Sequence, residues 1–423
     1  MSISITLNTI FLILCKYSIK NTTTMRRFCI ALLTLLSLNN VLFATDSMPI
    51  IAFMGVPDNR TTEENFRIMS ECGFNVSIYP YANLDMMVKA CRIADKYGVK
   101  ILSHCPEMDK NPTLAASILK KEKGFFGYSM QDEPTVPDIH QRQQEIEKLK
   151  SIDNTHVFYI NLQPFYNPDW VEPSTKAKDY PTYLKAASAT SCQQISFDFY
   201  PITTTGIRPT WYHNLEMIRQ ESLSSGKPFW AFVLSVAHDV PYTANTYYPI
   251  PTLASLRLQI YVNLAYGAQA IQYFTYWNSD EGGGTYHYHS APISGVGKKT
   301  NTYYLVQQMN HELKQVAKLF YGAKVTSVKH MKIIPQGCSK QDSIPLNLKS
   351  LKIVSSKGAI VSQFYKNNHL YMAIVNKNHL DPMTVLIRAK NNTPKHVTKS
   401  LQEETMKTSY NVPAGDLLLF RLK

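Results

Sequence analysis

The chain has 423 residues, of which 44% are hydrophobic and 11% aromatic, so it can build a large core and is not a disordered chain. The formal net charge is +13, and the excess of Lys and Arg falls mainly after Val325. These basic residues are dispersed among strand-like residues, whereas a nucleic-acid site needs clustered Arg and aromatic residues. We therefore expect no nucleic-acid partner and at most a weak contact of the C-terminal region with an anionic glycan or a membrane surface.

Residues 1–44 predict an export signal. Met25-Arg26-Arg27 is a short positive segment, Phe28 to Leu38 is a mostly apolar core, and Leu42-Phe43-Ala44 is a candidate cleavage site. We therefore place the functional start at Met25 and expect a secreted, periplasmic or cell-surface protein. One uncleaved anchor or a pair of short spans is the alternative, but each apolar run is short for a bilayer.

Five cysteines follow the predicted signal. They are scattered along the chain, and no pair has the spacing of metal ligands. The sequence therefore predicts neither a disulfide framework nor a zinc site, and it leaves one disulfide bridge possible.

Eight apolar runs, each followed by a helical pattern, occupy residues 45–322. This repeat predicts an α/β fold, a (β/α)8 TIM barrel. A doubly wound open sheet is the alternative, but no Gly-rich phosphate loop follows the first run. The predicted strands are Ile50 to Val56, Phe74 to Tyr79, Val99 to Ser103, Gly124 to Met130, His156 to Leu162, Gln194 to Phe199, Pro228 to Leu234 and Ala268 to Phe274.

Residues 323–423 have a different pattern. Short runs of alternating apolar and polar residues, such as Ala359 to Tyr365 and Leu370 to Val375, are typical of antiparallel hairpin strands. We predict that this region forms a C-terminal antiparallel β-sandwich, an accessory domain that follows the barrel.

Residues that follow the strands of such a barrel converge on one cavity. Here they include the carboxylates Asp132, Glu133 and Asp198, together with amides and aromatic rings. Sugars need this mixture, because their hydroxyl groups require planar hydrogen-bond partners and their C–H faces pack on aromatic rings. The predicted sugar-binding residues are Tyr79, His104, Asn161, Gln163, Tyr200, His238, Tyr276, Trp277 and Asn278, with Trp277 as the stacking floor.

Three stretches resemble the superfamily of (β/α)8 glycoside hydrolases, most of all its β-galactosidase-like clan of retaining enzymes. They are Gly127 to Pro134 at the fourth strand, Ser196 to Pro201 at the sixth and Gly267 to Trp277 at the eighth. The resemblance covers about residues 50 to 320. It implies that Glu133, at the end of the fourth strand, is the general acid/base and that a Glu on the seventh strand is the nucleophile.

The chain departs from the pattern of this clan at two places. Asp132 replaces the expected Asn before Glu133, and the seventh strand, Lys227 to Ser235, contains no Glu. A retaining mechanism needs two carboxyl groups about 5 to 5.5 Å apart, so the second group must come from elsewhere. The chain is therefore an atypical relative of these enzymes.

Three arrangements remain open for the partner of Glu133. Asp198 would form an inverting pair, with a gap of roughly 6.5 to 9.5 Å for water. Asp132 would instead orient an acetamido group of the substrate as an internal nucleophile, as the resemblance to barrel β-N-acetylhexosaminidases implies. Asp239 or Glu281 would reach in from a loop.

The sequence therefore predicts a secreted glycoside hydrolase that cleaves an oligo- or polysaccharide, with no cofactor and no metal. Glu133 suits the general acid because a neighbouring carboxylate in an enclosed cleft raises the pKa of a carboxyl group. A structural alternative is that Asp132 caps the helix that follows or pairs with a buried Arg, and that Glu133 is only a charge in the first turn of that helix. The functional alternative is a non-catalytic glycan-binding barrel that has lost its nucleophile.

Overall fold

The computed structural model describes residues 47–166, 175–240, 245–278 and 286–423. The predicted export signal and Glu281 lie outside these residues. Eight parallel strands form a closed barrel, in which each strand pairs with the next in sequence and the eighth pairs with the first. The predicted barrel is confirmed, and closure excludes the open sheet. Its strands are β1 (Ile50–Phe53), β2 (Val76–Ile78), β3 (Lys100–Ser103), β4 (Phe125–Asp132), β5 (Val157–Leu162), β6 (Ile195–Phe197), β7 (Phe229–Leu234) and β8 (Ala270–Phe274).

Helices alternate with these strands on the outside of the barrel. Their N-termini carry side-chain caps: for example, the Thr62 hydroxyl accepts a hydrogen bond from the backbone of Asn65, and the Asn83 side chain accepts one from Met86. The helices are α1 (Glu63–Glu71), α2 (Leu84–Lys96), α3 (Pro106–Lys110), α4 (Pro112–Leu119), α5 (Val136–Lys150), α6 (Tyr180–Ser188), α7 (Thr210–Ser225), α8 (Leu253–Tyr266) and α9 (Asn301–Phe320).

The C-terminal region forms two antiparallel sheets, which confirms the second part of the predicted fold. The strand order is β9-β11-β12-β17-β14-β15 in one sheet and β10-β13-β16 in the other. Apolar residues from both sheets form one cluster between them. The strands are β9 (Lys324–Met331), β10 (Leu348–Val354), β11 (Ala359–Lys366), β12 (His369–Asn376), β13 (Met383–Ala389), β14 (Lys395–Val397), β15 (Glu403–Thr405), β16 (Ser409–Val412) and β17 (Leu417–Arg421).

The predicted hairpin between β11 and β12 forms around two asparagines. Lys366 pairs with His369, and Asn367 and Asn368 between them have φ angles of 49° and 64°. Two consecutive left-handed residues are what a tight two-residue hairpin requires, and Asn adopts this conformation more readily than most residues.

Helix α8 is enclosed between the barrel and the C-terminal sheets. All residues from Leu258 to Tyr266 are buried, which explains why this helix is apolar on nearly every face. Toward the barrel, the Asn263 side chain donates to the carbonyl of Phe232 at 3.2 Å. Toward the sheets, the Ser362 hydroxyl donates to the carbonyl of Ala265 at 2.7 Å. The barrel and the sheets therefore share one hydrophobic core.

An ion-pair network also joins the two regions. Glu312 on α9 accepts hydrogen bonds from Arg257 on α8 at 2.7 Å and from Lys399 at 2.6 Å. Asp416 pairs with the same two cations. The domain boundary between residues 322 and 323 stays a prediction.

Two further properties concern only the part of the chain that the structure describes. None of its helices is long and apolar enough to cross a membrane. Its five cysteines are free thiols, and four of them are buried.

Candidate active site

The end of β4 places two consecutive acids at the C-terminal edge of the barrel. Pairing with β5 changes register between Ser129 and Gln131, and Asp132 is the last residue of the strand. Glu133 follows with a φ of 45°, and its backbone N–H donates to the carbonyl of Asn161 at 2.9 Å. Neighbouring residues of a regular strand point to opposite faces. Because the strand ends in an irregular, left-handed turn, this alternation does not apply to Asp132 and Glu133, and both are exposed.

Neither acid caps the helix that follows. Thr135 is the N-cap of α5: its hydroxyl accepts a hydrogen bond from the backbone of Asp138, and the Asp138 carboxylate accepts one from the backbone of Thr135. This capping box supplies the carboxylate that the helix terminus favours. The capping role that the sequence left open for Asp132 is therefore wrong.

Asn161, near the end of β5, links Asp132 to Asp198. Its side-chain nitrogen donates to Oδ1 of Asp132 at 3.0 Å and to Oδ1 of Asp198 at 3.3 Å. The Asn161 amide therefore bridges the carboxyl groups of Asp132 and Asp198, which are close neighbours in the cavity. We call Asp132, Glu133 and Asp198 the carboxyl cluster.

A chain of buried hydrogen bonds fixes the orientation of the Asn161 amide. The Ser196 hydroxyl on β6 donates to Oδ1 of Asn161 at 2.9 Å, and it accepts from the Gln272 amide on β8 at 2.8 Å. The Tyr159 hydroxyl donates to Oε1 of Gln272 at 2.9 Å. Because Asn161 accepts through its oxygen, its NH₂ group must face the carboxylates.

Asp198 and Asp132 retain protons more readily than isolated acids do. Burial, followed by the negative charges of Glu133 and Asp132, raises the pKa of Asp198 well above its ordinary value. Desolvation also raises the pKa of Asp132, and the hydrogen bond from Asn161 opposes the shift. Asp132 is exposed by surface area, which fits a group that water reaches at the bottom of a cleft. Asp198 is only 7% exposed and is therefore the most protected acid of the cluster.

Helix α6 supports the turn after β4. The Tyr183 hydroxyl donates to the carbonyl of Pro134 at 2.8 Å, and the Tyr180 hydroxyl donates to the carbonyl of Gln163 at 2.9 Å. The Gln163 side chain in turn donates to the carbonyl of Glu133 at 3.4 Å. Gln163 thus supports the backbone of the predicted acid.

Sequence and structure comparisons agree with this geometry. A family model of glycosyl hydrolase family 42, described as β-galactosidase, matches residues 147–316. The match contains Asn161 and Asp198 and begins after Glu133. A solved structure described as a glycoside hydrolase aligns with a TM-score of 0.57 and 12% identity, over 88% of this chain and 92% of its own. The chain is a glycoside hydrolase-like (β/α)8 protein.

Two β-galactosidase structures also align with the glycoside hydrolase-like chain. The enzyme from the psychrophilic Marinomonas ef1 has a TM-score of 0.47 and 10% identity, over 64% of this chain and 60% of its own. The enzyme from the Antarctic haloarchaeon Halorubrum lacusprofundi has a TM-score of 0.45 and 11% identity, over 67% of this chain and 59% of its own. The chain thus spans about three fifths of these two β-galactosidases. No curated protein matches the sequence.

A buried cluster of aromatic rings lies near the carboxyl cluster of this glycoside hydrolase-like barrel. The rings of Tyr200 and Tyr248 lie 6.0 Å apart, and the His238 ring lies 4.5 Å from Tyr248. Burial lowers the pKa of His238 to about 4, so this histidine is neutral at neutral pH. Tyr166, which follows β5, is 38% exposed and packs on Phe199 at 4.7 Å.

Two predicted sugar-binding residues lie at the ends of β2 and β3. Tyr79 is half-buried, and desolvation, followed by the charge of Asp58, raises the pKa of its hydroxyl. His104 pairs through Nε2 with Asp109 at 3.0 Å.

The predictions for the end of β8 need correction. Tyr276 is 0% exposed and packs edge-on against Phe74 at 5.2 Å, so it is a core residue and not a sugar platform. Trp277 is 3% exposed and offers no open ring face as a stacking floor. The Asn278 side chain donates to the carbonyl of Tyr288 at 3.0 Å and supports a loop. A position at a strand end does not fix the direction in which a side chain points.

Asp239 has a partner in the described part of the chain. Its carboxylate lies 2.5 Å from Nδ1 of His287. Glu281 lies outside the described residues. The third arrangement considered from the sequence therefore gains no support.

Three potential metal ligands lie close together outside the cavity. Donor atoms of Glu216, His330 and Cys338 are within 4.8 Å of one another in the described part of the chain. Lys377 contacts Nδ1 of His330 at 3.3 Å, and its ammonium can only donate, so Nε2 carries the ring proton. Nε2 then donates to Tyr266 at 2.9 Å, whose hydroxyl donates to Glu216 at 3.2 Å. These hydrogen bonds account for the cluster without a cation.

Proposed function

We propose that the protein is a glycosidase that hydrolyses an O-glycosidic bond of an oligo- or polysaccharide, with Glu133 and Asp198 as its two principal carboxyl groups. The observation that supports this most strongly is the carboxyl cluster around Asn161, at the C-terminal edge of a glycoside hydrolase-like barrel. Catalytic residues of such barrels come from this edge. The predicted signal at residues 1–44 supports a secreted or cell-surface location.

The roles of the two groups follow from their environments. Glycoside hydrolysis needs one protonated carboxyl group to donate to the leaving oxygen and one carboxylate to act as a base or nucleophile. Burial, followed by the charges of Glu133 and Asp132, raises the pKa of Asp198 and suits it to the role of the protonated group. Glu133 is exposed at the rim and is the better candidate for the ionised group. This division reverses the role that sequence reasoning assigned to Glu133.

Asp132 supports a variant of the same function. Asn161 holds its carboxylate toward the cavity, and the turn at Glu133 allows both neighbours to reach it. An acetamido group on the substrate would then replace the protein nucleophile. This variant requires an N-acetylated sugar and makes activity sensitive to Asp132→Asn.

Aryl glycosides that differ in their leaving groups test the assignment. An activated phenol leaves without a proton, whereas an alcohol needs the acid. Asp198→Asn should reduce kcat/KM for an unactivated glycoside by about 10³-fold and leave a dinitrophenyl glycoside within about tenfold, a usual range for a general acid. Glu133→Gln should reduce both by about 10³-fold or more.

Ser362→Ala serves as the control, because the hydroxyl of this buried serine on β11 donates to Ala265, on the side of α8 that faces the C-terminal sheets. Wild-type turnover in Glu133→Gln would refute the proposal. Binding of glycans without hydrolysis, unchanged in Glu133→Gln, would establish the non-catalytic glycan-binding protein instead.

A further inference from the structure

A cavity lies on the segment that joins β6 to α7. Its volume is about 380 Å³, and Thr203, Thr205, Thr246, Gly206 and Arg208 contribute to its wall. Two short ladders build it, Ile202–Thr203 with Gly206–Ile207 and His238–Asp239 with Tyr247–Tyr248. The backbone of Thr204 donates to the carbonyl of Tyr247 at 2.9 Å and joins the ladders.

Two tyrosine rings hold the guanidinium of Arg208. It lies 4.5 Å from the centre of the Tyr166 ring and 5.2 Å from that of Tyr248. The backbone N–H of Arg208 donates to the carbonyl of Pro201 at 2.9 Å. Rings cover the faces of a guanidinium and leave its N–H groups at the edge for other acceptors.

Arg208 has no carboxylate partner among the residues that the structure describes, although ion pairs hold Arg67, Arg92, Arg257 and Arg421. The charge of Arg208 affects the pKa of two neighbouring groups. Burial lowers the pKa of His238, and Arg208 adds to this shift. Desolvation raises the pKa of Tyr248, and Arg208 opposes that shift. A half-buried guanidinium that pairs with no carboxylate of the described residues can bind the oxygens of an anionic ligand.

The rings of Tyr166 and Tyr248 also pack against the two residues that follow Asp198. Tyr248 packs on Tyr200 at 6.0 Å, and Tyr166 packs on Phe199 at 4.7 Å. Phe199 and Tyr200 directly follow Asp198 in sequence. The charges of Arg208 and Asp198 both affect the pKa of Tyr166 and that of Tyr248, so the two groups lie on the same aromatic cluster.

From these contacts we infer that the cavity at Arg208 is a subsite for an anionic sugar unit, one that carries a carboxylate or a sulfate. The planar guanidinium would bind two oxygens of the anion in parallel. The threonine hydroxyls would accept or donate hydrogen bonds to the neighbouring sugar hydroxyls. The inference rests on the proposed function, because the anionic sugar unit would lie next to the glycosidic bond that the protein cleaves.

Equilibrium binding to charge-matched oligosaccharides tests the subsite. The probes are an oligogalacturonate and its methyl ester, and a sulfated galactan oligosaccharide and its desulfated form. The protein is the full chain that carries Glu133→Gln, so that no probe is consumed. We expect at least one anionic probe to bind about tenfold or more tightly than its neutral partner, and the pair that shows this identifies the anion. A further Arg208→Gln substitution should abolish the preference.

Lys352→Gln is the matched control, because Lys352 is exposed on β10 and the substitution removes the same charge. It should leave the preference intact. Equal binding of charged and neutral probes, or a preference that survives Arg208→Gln, would overturn the inference. Wild-type hydrolysis is measured separately: cleavage of a neutral glycan with no charge preference overturns the subsite alone, and an Arg208-dependent preference without cleavage overturns the glycosidase alone.

Discussion

Asn161 is the residue on which the geometry of the carboxyl cluster depends. Its one amide nitrogen serves both Asp132 and Asp198, and its oxygen is held by Ser196. Sequence reasoning placed Asn161 in the cavity as a sugar ligand, and it missed Ser196 and Gln272. A signal was present, because each is a polar residue within an otherwise apolar barrel strand, where buried polar groups require partners. The partners themselves lie on different strands, and no local pattern identifies them.

Removal of the Ser196 hydroxyl should change the acidity of the cluster. In Ser196→Ala the Asn161 amide is less firmly oriented, and its hydrogen bond, which lowers the pKa of Asp198, weakens. The pKa of Asp198 should rise, so we expect the alkaline limb of the pH profile of kcat/KM to move upward by about half a unit or more. Carboxyl ¹³C shifts during a pH titration measure the same pKa without turnover.

Ser362→Ala separates this effect from a general loss of stability. Both serines are fully buried, and each substitution should lower the free energy of unfolding by about 1 kcal/mol. Only Ser196→Ala should shift the pH profile. Identical profiles in the two variants would show that Ser196 has a structural role alone.

At the scale of elements, the sequence predicted the strands of the barrel well. Long apolar runs between helical patterns locate β1 to β8, and the runs end within a few residues of the strands in the structure. The short strands β14 and β15 and the helix α3 were not predicted, because three to five residues carry too little periodicity. Arg208 was missed for a related reason: it lies in a connection, where tertiary contacts alone bring it to Tyr166 and Tyr248.

The close approach of β4 to β5 depends on Gly127. A Cβ atom at this position would lie 2.2 Å from the carbonyl oxygen of Val157, which is backbone and cannot move without opening the barrel. We expect Gly127→Ala to lower the free energy of unfolding by about 3 kcal/mol. Urea denaturation followed by circular dichroism measures this change.

Ser129→Ala is the control for Gly127→Ala, since Ser129 lies two residues farther along the same strand and the substitution adds no volume. It should change the free energy of unfolding by less than about 0.5 kcal/mol. A Gly127→Ala variant of wild-type stability would mean that the two strands are not packed as closely as the structure has them.

At the scale of the whole molecule, the barrel and the C-terminal sheets are joined by a polar cluster as well as by the shared core. His330 on β9 is buried between Tyr266 of α8 and Lys377, which follows β12. Its ring also packs edge-on against Tyr212 of α7 at 5.2 Å. The accessory region therefore contributes directly to the environment of the barrel helices. A proton taken up here would affect the stability of both regions.

The pH dependence of unfolding should report this junction. Burial, and then the positive charge of Lys377, lowers the pKa of His330 to about 3, whereas a histidine in the unfolded chain has a pKa of about 6.5. Below pH 6.5 the unfolded chain binds a proton that the folded protein refuses, so stability falls as the pH falls, by up to about 1.4 kcal/mol per unit. Between pH 7 and 5 the free energy of unfolding of the wild type should therefore fall by about 2 kcal/mol more than that of His330→Gln.

His238, whose pKa shifts in the same direction, is present in both proteins and cancels in the difference. Urea denaturation at the two pH values measures it, and parallel losses in the two proteins would show that His330 is not protected from protons at the junction.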